Sequence, residues 1–450
     1  MTMNVHAETI AAIATAAGAG GVGIIRLSGS AAPAMARTLL GRSPRPRHAH
    51  YCTFTEKDGS VLDRGLIIHF PAPHSFTGED VVELQAHGSP VILRCLLARV
   101  IELGARQARP GEFSERAFLN GKIDLVQAEA IADLIASGSQ AAARAAVRSL
   151  DGEFSARVRA LAEAVVRLRV WIEAAIDFPE EEIDFLATPQ LLEDLVATCD
   201  RLDDLLAASR RGVRLADGLH VVIVGRPNAG KSSLLNALAA SDRAIVTDLP
   251  GTTRDLLRET IDLDGIGMTL VDTAGLRDSL DVVEIEGMRR ARDELARADL
   301  AVLVSTDAQL ERDLPLLADL PATTTRLIVH NKIDLAGSAP RQAEIDGLAH
   351  IWLSARSGAG LDLLMAALRK AAGYTEDNQG AFSARTRHVD AIERARQHLH
   401  AALRALREQR AGELAAEELR QVQHALGEIT GTFSSEDLLG RIFADFCIGK

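Results

Sequence analysis

Leu219–Leu238 reads L-H-V-V-I-V-G-R-P-N-A-G-K-S-S-L-L-N-A-L. An apolar strand runs through a glycine turn into a helix, and Gly225, Gly230, Lys231 and Ser232 fill the fixed positions of G-x-x-x-x-G-K-[ST]. The two glycines let successive backbone N–H groups turn inward onto phosphate oxygens. Lys231 is placed to neutralise β- and γ-phosphates, Ser232 to ligate Mg²⁺, and the helix start adds partial positive charge. Asn228, Ala229, Gly230, Lys231, Ser232 and Ser233 therefore read as a phosphate-binding P-loop.

Outward from this loop, strands and helices alternate from Val221 to Gly373, the pattern of a mostly parallel sheet covered on both faces. Thr260–Leu263 and Met268–Val271 flank the hairpin turn Asp264-Gly265, and Leu300–Val304, Arg326–Val329 and Ile351–Leu353 supply further strands. Asp272-Thr273-Ala274-Gly275 ends the hairpin, where Asp272 can reach Mg²⁺ through water and Gly275 can bring an N–H to the γ-phosphate. In Asn331-Lys332-Ile333-Asp334, the Asp334 carboxylate can accept from guanine N1–H and its exocyclic amine. In Ser354-Ala355-Arg356, the Ala355 N–H suits guanine O6. A site that leaves its polar groups unpaired on the wrong base discriminates by about 10⁴. Four motifs in this order imply a guanine-nucleotide hydrolase.

Gly251-Thr252-Thr253-Arg254-Asp255 sits where a switch segment orders around the γ-phosphate, with Thr253 offering a second hydroxyl to Mg²⁺. Two features depart from common practice. Leu276 follows Gly275 and cannot orient a water as a glutamine can. Asn228 is either a plain loop residue or, with the carbonyls of Thr247 and Leu249 and an oxygen of Thr252, part of a pocket for a monovalent cation.

The 450-residue chain is too long for one ordinary core, and about three domains are expected. Residues 1–120 mix strands (Thr9–Ala16, Gly23–Ser28, a hairpin of Tyr51–Thr55 and Gly65–Phe70) with a helix over Pro90–Leu103, whose apolar stripe is read as Val91, Leu93, Leu97, Val100 and Ile101. The turn between the first two strands is read as Gly18-Ala19-Gly20-Gly21. Residues 121–215 turn to Ala, Leu, Arg and Glu, and Leu161, Val165, Leu168, Ile172 and Ile176 mark one stripe of a long helix that Pro179 ends, followed by an acidic cluster of Glu180, Glu181, Glu182 and Asp184. After the nucleotide domain (216–375), residues 376–450 return to helices, read as His388–Arg410 and Glu413–Gly427, which pack back on the first helical stretch. The expected fold is multidomain: an α+β N-terminal domain, a discontinuous all-α domain and an inserted α/β P-loop domain.

A net charge of −12 excludes a protein that holds nucleic acid by overall electrostatics; an RNA partner needs a local basic patch or a second protein. Four scattered cysteines without a C-x-x-C pair suggest neither zinc nor disulfides, as in a reducing cytoplasm. Neither an export signal nor a run of about 18 apolar residues is read, so a cytoplasmic protein off the membrane is expected.

G-R-P-N-A-G-K-S-S, D-x-P-G-T-T-R-D from Asp248 to Asp255 and D-T-A-G-L-R from Asp272 to Arg277 are joined by Phe76-Thr77-Gly78-Glu79-Asp80, Glu83-Leu84-Gln85 and the closing Phe446-Cys447-Ile448-Gly449-Lys450. Together they resemble the MnmE (TrmE) family of bacterial tRNA-modification GTPases, essentially end to end. The resemblance implies a folate-binding, dimerising N-terminal domain and potassium-dependent GTP hydrolysis stimulated when G domains of the homodimer meet. It implies a heterotetramer with an FAD-binding partner, MnmG (GidA), that adds an aminomethyl-type group to C5 of the wobble uridine of certain tRNAs, with a tetrahydrofolate derivative (5,10-methylene or 5-formyl) as carbon carrier.

By the same resemblance, GTP is held by Asn228–Ser233, by Thr247, Asp248, Leu249, Pro250, Gly251, Thr252 and Thr253, by Asp272, Thr273, Ala274 and Gly275, and by Asn331, Lys332, Asp334, Ser354, Ala355 and Arg356. K⁺ lies on Asn228, Thr247, Leu249 and Thr252, Mg²⁺ on Ser232 and Thr253, and Glu284 positions the hydrolytic water beside Lys231 and Asp272. Folate falls to Arg26, Glu83, Lys122 and Lys450. These types suit it, since a carboxylate pairs with the amide-rich pterin and cations with its glutamate tail. Cys447 has no adjacent base in sequence to activate its thiol. Two departures stand out: Ala16–Gly21 where relatives carry a Pro- and Arg-containing loop, and Gln85-Ala86-His87-Gly88-Ser89 in place of a more glycine-rich version. The competing expectation is a ribosome-assembly GTPase acting as an RNA-binding switch, for which Gly18-Ala19-Gly20-Gly21 supplies a G-x-x-G segment.

Overall fold

The computed structural model describes residues 8–177, 188–239, 244–246, 258–263, 266–272, 298–318, 320–321, 324–371, 381–433, 436–444, 446 and 449. The chain forms two compact units, Met1–Ala132 with His424–Lys450, and Asp133–Gln423.

In the first unit, β1 (Ile10–Ile13), β2 (Gly20–Ser28), β3 (His50–Thr55), β4 (Val61–Phe70), β5 (Val81–Gly88) and β6 (Arg106–Gln107) form one sheet in the order β3-β4-β5-β2-β1-β6. Alternation along the strands sends Ala11, Ile25, Leu27, Phe54, Ile67, Val82 and Leu84 to one face. There α1 (Ala32–Leu40) and α2 (Pro90–Glu102) cover them through Met35, Leu93, Leu96 and Val100. Burying each such aliphatic side chain contributes about 1.5–3 kcal/mol. On the other face Ile10, Ala12, Ala108 and Phe113 form a smaller cluster with α3 (Glu112–Leu119). Leu125 and Ala128 of α4 (Leu125–Ala136) pack with Ile442 and Phe443 of the helix Glu436–Ala444.

Two local expectations change. The stripe of α2 is Leu93, Leu96 and Val100, while Val91 is 58% and Ile101 38% exposed. At 100° per residue, Val91 lies about 200° from Leu93, on the opposite side of the cylinder. Gly20 and Gly21 belong to β2 rather than to a turn, and Gly20 pairs with Gly88 across a bulge.

The second unit joins a helical bundle to the nucleotide-type sheet. Ser139 caps α5 (Gln140–Leu150), its Oγ accepting from the Ala142 N–H at 3.1 Å. In α6 (Glu153–Asp177) Leu161, Val165, Leu168 and Ile172 are buried as expected, whereas Ile176 near the end is half-buried. Pro179 and the acidic residues Glu180–Asp184 lie outside the described residues. The helix Thr386–Arg404 lies along α7 (Pro189–Asp217), so the late helices do return to the early ones. The stretch read as His388–Arg410 is the helix Thr386–Arg404 continued by a π turn at Ala405–Gln409, which ends with Arg410 left-handed at φ 51°. The following helix runs Gly412–Thr430.

The sheet contains β7 (Leu219–Val224), β8 (Ala244–Val246), β9 (Arg258–Leu263), β10 (Ile266–Asp272), β11 (Leu300–Ser305), β12 (Thr325–His330), β13 (Arg341–Ile345) and β14 (Leu348–Trp352), ordered β13-β14-β12-β11-β7-β10-β9-β8. The core strands β14, β12, β11, β7 and β10 are parallel. Val221 and Ile223 point to α8 (Lys231–Ala239) and the helix Leu361–Ala371, while Val222 and Val224 point to Leu317 and Leu320. Near-continuous apolar strands are what two covered faces demand. The P-loop leaves β7 where the strand order diverges to β11 and β10, the crevice in which such sheets bind ligands.

Candidate functional site

The P-loop spans the end of β7 and the start of α8. Gly230 takes φ 101°, and a Cβ there would fall 2.2 Å from Asn331 Nδ2, while a Cβ on Gly225 would fall 2.4 Å from the Val304 carbonyl oxygen. Asn228 sits left-handed at φ 63°, a conformation asparagine tolerates. Buried Lys231 folds back so that Nζ donates to the carbonyls of Gly225 (2.8 Å) and Arg226 (3.2 Å). Ser232 and Ser233 are exposed on the first turn of α8.

Asn331 follows β12 and connects three loops. Its Nδ2 donates to the Ala229 carbonyl at 2.9 Å, and its Oδ1 accepts from the backbone N–H groups of Lys332 (2.8 Å) and Ala355 (3.0 Å). Lys332, left-handed at φ 66°, donates from Nζ to the Asn228 carbonyl at 2.6 Å. Buried Ser354 accepts at Oγ from the Ser357 N–H at 3.2 Å. Asp334 and Arg356 are exposed. The Ala355 N–H, which sequence assigns to guanine O6, is engaged here by Asn331. Asp272 ends β10 opposite Ile223 of β7, so its backbone stands beside the P-loop strand. Thr247, Asp248, Leu249, Pro250, Gly251, Thr252, Thr253, Thr273, Ala274, Gly275 and Glu284 lie outside the described residues.

One support for the loop is missing from any motif. Arg226 Nε lies 2.7 Å from Asp313 Oδ1, a carboxylate 1% exposed whose other oxygen accepts from Ser305 Oγ at 2.6 Å. Asp313 reads in sequence as one acid among several on a polar turn, and only the fold brings it under the P-loop.

In the first unit Arg26 and Glu83 are cross-strand partners on β2 and β5, joined at 3.0–3.1 Å. The guanidinium carbon lies 5.8 Å from the Phe76 ring centre and 5.9 Å from that of Phe113. Lys122 is exposed and donates to the Pro73 carbonyl at 3.1 Å; among the described residues no hydrogen bond or ion pair joins it to Arg26 or Glu83. Gly449 packs against Ile13, while Cys447 and Lys450 lie outside the described residues.

On the same face of the sheet a charged network holds the F-T-G-E-D segment. Glu79 accepts from Ser28 Oγ (2.7 Å) and from Arg116 (3.0 Å), and Arg116 also donates to Glu112 (3.1 Å). Burial pushes the Glu112 carboxyl upward, but bonds from Arg106, the Arg109 N–H and Arg116 outweigh it and hold its pKa at about 2.

Residues 9–122 match the family model described as the GTP-binding protein TrmE N-terminus, and residues 125–447 match the MnmE helical domain. The tRNA modification GTPase MnmE of Xanthomonas campestris pv. campestris (strain B100) is 58% identical over 454 residues, covering 100% of both chains. That of Hydrogenovibrio crunogenus is 53% identical over 445 residues, covering 98% of this chain and 99% of its own. Among solved structures, the G domain of the T. maritima FeoB iron transporter is 26% identical and covers 34% of this chain and 98% of its own, with a TM-score of 0.26.

Proposed function

The chain belongs to the MnmE family of tRNA modification GTPases, and on that premise we propose that it hydrolyses GTP on the loops that Asn331 ties together, in the service of tRNA modification. The observation that carries the nucleotide site is the set of Asn331 bonds to Ala229, Lys332 and Ala355, which gathers the phosphate loop and both guanine motifs at the ends of parallel strands.

In this reading Lys231 leaves its loop carbonyls to neutralise the β- and γ-phosphates, and Asp334 reads the guanine edge. Mg²⁺ suits the hydroxyls of Ser232 and Thr253 with Asp272 behind them, an all-oxygen set that a hard cation prefers. Glu284 positions the water. A potassium ion held by Asn228, Thr247, Leu249 and Thr252 supplies positive charge where other GTPases use an arginine, an effect worth roughly 10³–10⁵. The Asn228 backbone oxygen accepts from Lys332 Nζ at 2.6 Å, and its side-chain oxygen is a further donor for the ion.

We further propose the four-part division into residues 1–120, 121–215, 216–375 and 376–450, with residues 1–120 carrying folate and the homodimer contact. The half-buried Arg26–Glu83 pair beside Phe76 and Phe113 suits a flat ring rich in amide groups, with Lys122 and Lys450 for its anionic tail. The tetrahydrofolate derivative supplies a one-carbon unit when bound. With an FAD-containing partner the product is an aminomethyl-type group on C5 of a wobble uridine, made in the cytoplasm. Among the described residues no helix is long and apolar enough to cross a membrane. The ribosome-assembly reading gains nothing, because Gly20 and Gly21 of its G-x-x-G segment lie in β2.

The test is GTP turnover in potassium and in sodium at equal ionic strength, for the wild type and Asn228→Ala. Potassium stimulation that disappears in the variant is expected. Equal rates in both salts would remove the cation mechanism.

A further inference from the structure

Asp307 lies two residues beyond the end of β11, in no nucleotide motif. Its Oδ1 accepts the Trp352 indole N–H at 3.0 Å and stands 2.5 Å from His330 Nδ1. His330 immediately precedes Asn331, and Trp352 precedes Ser354 by two residues, so one oxygen reaches the roots of both guanine-reading loops. His330 and Trp352 are register partners on β12 and β14, and their rings stack at 4.1 Å with an interplanar angle of 6°. Both are buried, while the Asp307 side chain is 60% exposed. Arg341 caps the far side of Trp352 with its guanidinium carbon 3.9 Å from the ring centre, and His350 Nδ1 lies 2.8 Å from His330 Nε2. His330 Nδ1 is in ion-pair contact with Asp307 without hydrogen-bond geometry, so the hydrogen bond that Asp307 accepts here is the one from the indole.

The backbone ladder already pairs β12 with β14 as far as His330 and Trp352. Beyond that rung the regular ladder ends, and Asn331–Asp334 and Ser354–Arg356 are joined by the Ile333 N–H to the Leu353 carbonyl at 3.4 Å and by the Ala355 N–H to Asn331 Oδ1 at 3.0 Å. A carboxylate from the neighbouring strand's loop, hydrogen-bonded to Trp352 and in contact with His330, adds a tie at the roots of both loops.

We propose that Asp307 is a positioning residue for guanine recognition, acting through His330 and Trp352 to fix the separation of the two loops that read the base. The inference rests on the guanine-site reading above. Recognition groups work only when held to within about 0.5 Å of the productive geometry, which gives a remote carboxylate its leverage.

The test measures release of fluorescent GDP and IDP from the full-length protein by stopped flow, for the wild type, Asp307→Ala, Asp307→Asn and Trp352→Phe. Inosine lacks the exocyclic amine that Asp334 reads. Asp307→Ala is expected to release GDP about tenfold faster, the scale of one lost buried hydrogen bond, and to lose most of the preference for GDP over IDP. Asp307→Asn keeps an Oδ1 acceptor for the indole and restores most of that preference. Trp352→Phe loses the N–H but keeps a stacked ring, and falls between. A wild type without preference for GDP would remove the guanine reading itself. A wild type with that preference, alongside an Asp307→Ala within twofold of it in rate and discrimination, overturns the positioning role. So does faster release of both nucleotides with discrimination intact, the pattern of a merely loosened fold. If Asp307→Ala does not fold, by thermal melting, Trp352→Phe decides by the same criteria.

Discussion

Asn331 Nδ2 donates to the carbonyl oxygen of Ala229 at 2.9 Å, across 102 residues of sequence. The same side chain accepts two backbone N–H groups through Oδ1, so its amide plane fixes how the phosphate loop faces the base-reading loops. Asn331→Ala leaves three buried or half-buried backbone groups without that partner, each costing about 1–3 kcal/mol. Affinity for GDP should fall by about 10- to 100-fold, read by titration of a fluorescent analogue. A change within twofold would show that the loops hold their arrangement without Asn331.

Gly230 offers a sharper geometric test. An alanine there must hold φ near 101° and place its Cβ against Asn331 Nδ2, whereas Gly337, at φ 61°, has nothing within 4 Å of the same position. Gly230→Ala should therefore abolish measurable nucleotide binding, and Gly337→Ala should cost only about 1 kcal/mol of backbone strain. Equal effects of the two on GDP affinity and on the melting temperature would sink the argument from close approach.

Glu112 makes part of the stability depend on acid. Its folded pKa, about 2, lies below its ordinary value of 4.5, so its contribution is complete above pH 4.5 and fades as the pH falls toward 2. The unfolded chain binds the proton first, which sets the sign. The contribution is on the order of 3 kcal/mol at neutral pH. Glu112→Gln should lower the melting temperature at pH 7 and leave a flatter acid limb between pH 4.5 and 2. A variant whose melting curve parallels the wild type through that window would refute the assignment.

Much of this arrangement was legible because it is local. The P-loop glycines and the apolar strands each carry their conformation in a few adjacent residues, and β7, β9, β10, β11, β12 and β14 stand where those signals lie, while the expected turn residues Asp264 and Gly265 lie outside the described residues. Strand β13 escaped notice because Arg341–Ile345 is an exposed edge with no apolar alternation. The stripe of α2 was misread because Val91 and Ile101 are apolar yet solvent-facing, a distinction that composition does not carry. Asp307 and Asp313 were invisible for a different reason. A carboxylate's importance here comes largely from Arg226, His330 and Trp352, 23 to 87 residues away, and no spacing rule reaches that far.

The Arg26–Glu83 pair separates a binding role from a structural one. It is a half-buried cross-strand ion pair, so neutralising one partner leaves the other charge partly unpaired and should lower the melting temperature by a few degrees at most. For a pterin-like ligand the consequence is larger, because Glu83 offers a charged acceptor to ring N–H groups and each such bond is worth about 1.5–3 kcal/mol. Glu83→Gln should weaken binding of 5-formyltetrahydrofolate by about 10- to 100-fold, measured by calorimetry. Arg26→Gln should weaken it less, since it leaves the carboxylate in place, and basal GTP turnover should be unchanged in both. If both variants bind folate within twofold of the wild type, this face of the sheet is not the folate site, and the charged pair serves only to register β2 against β5.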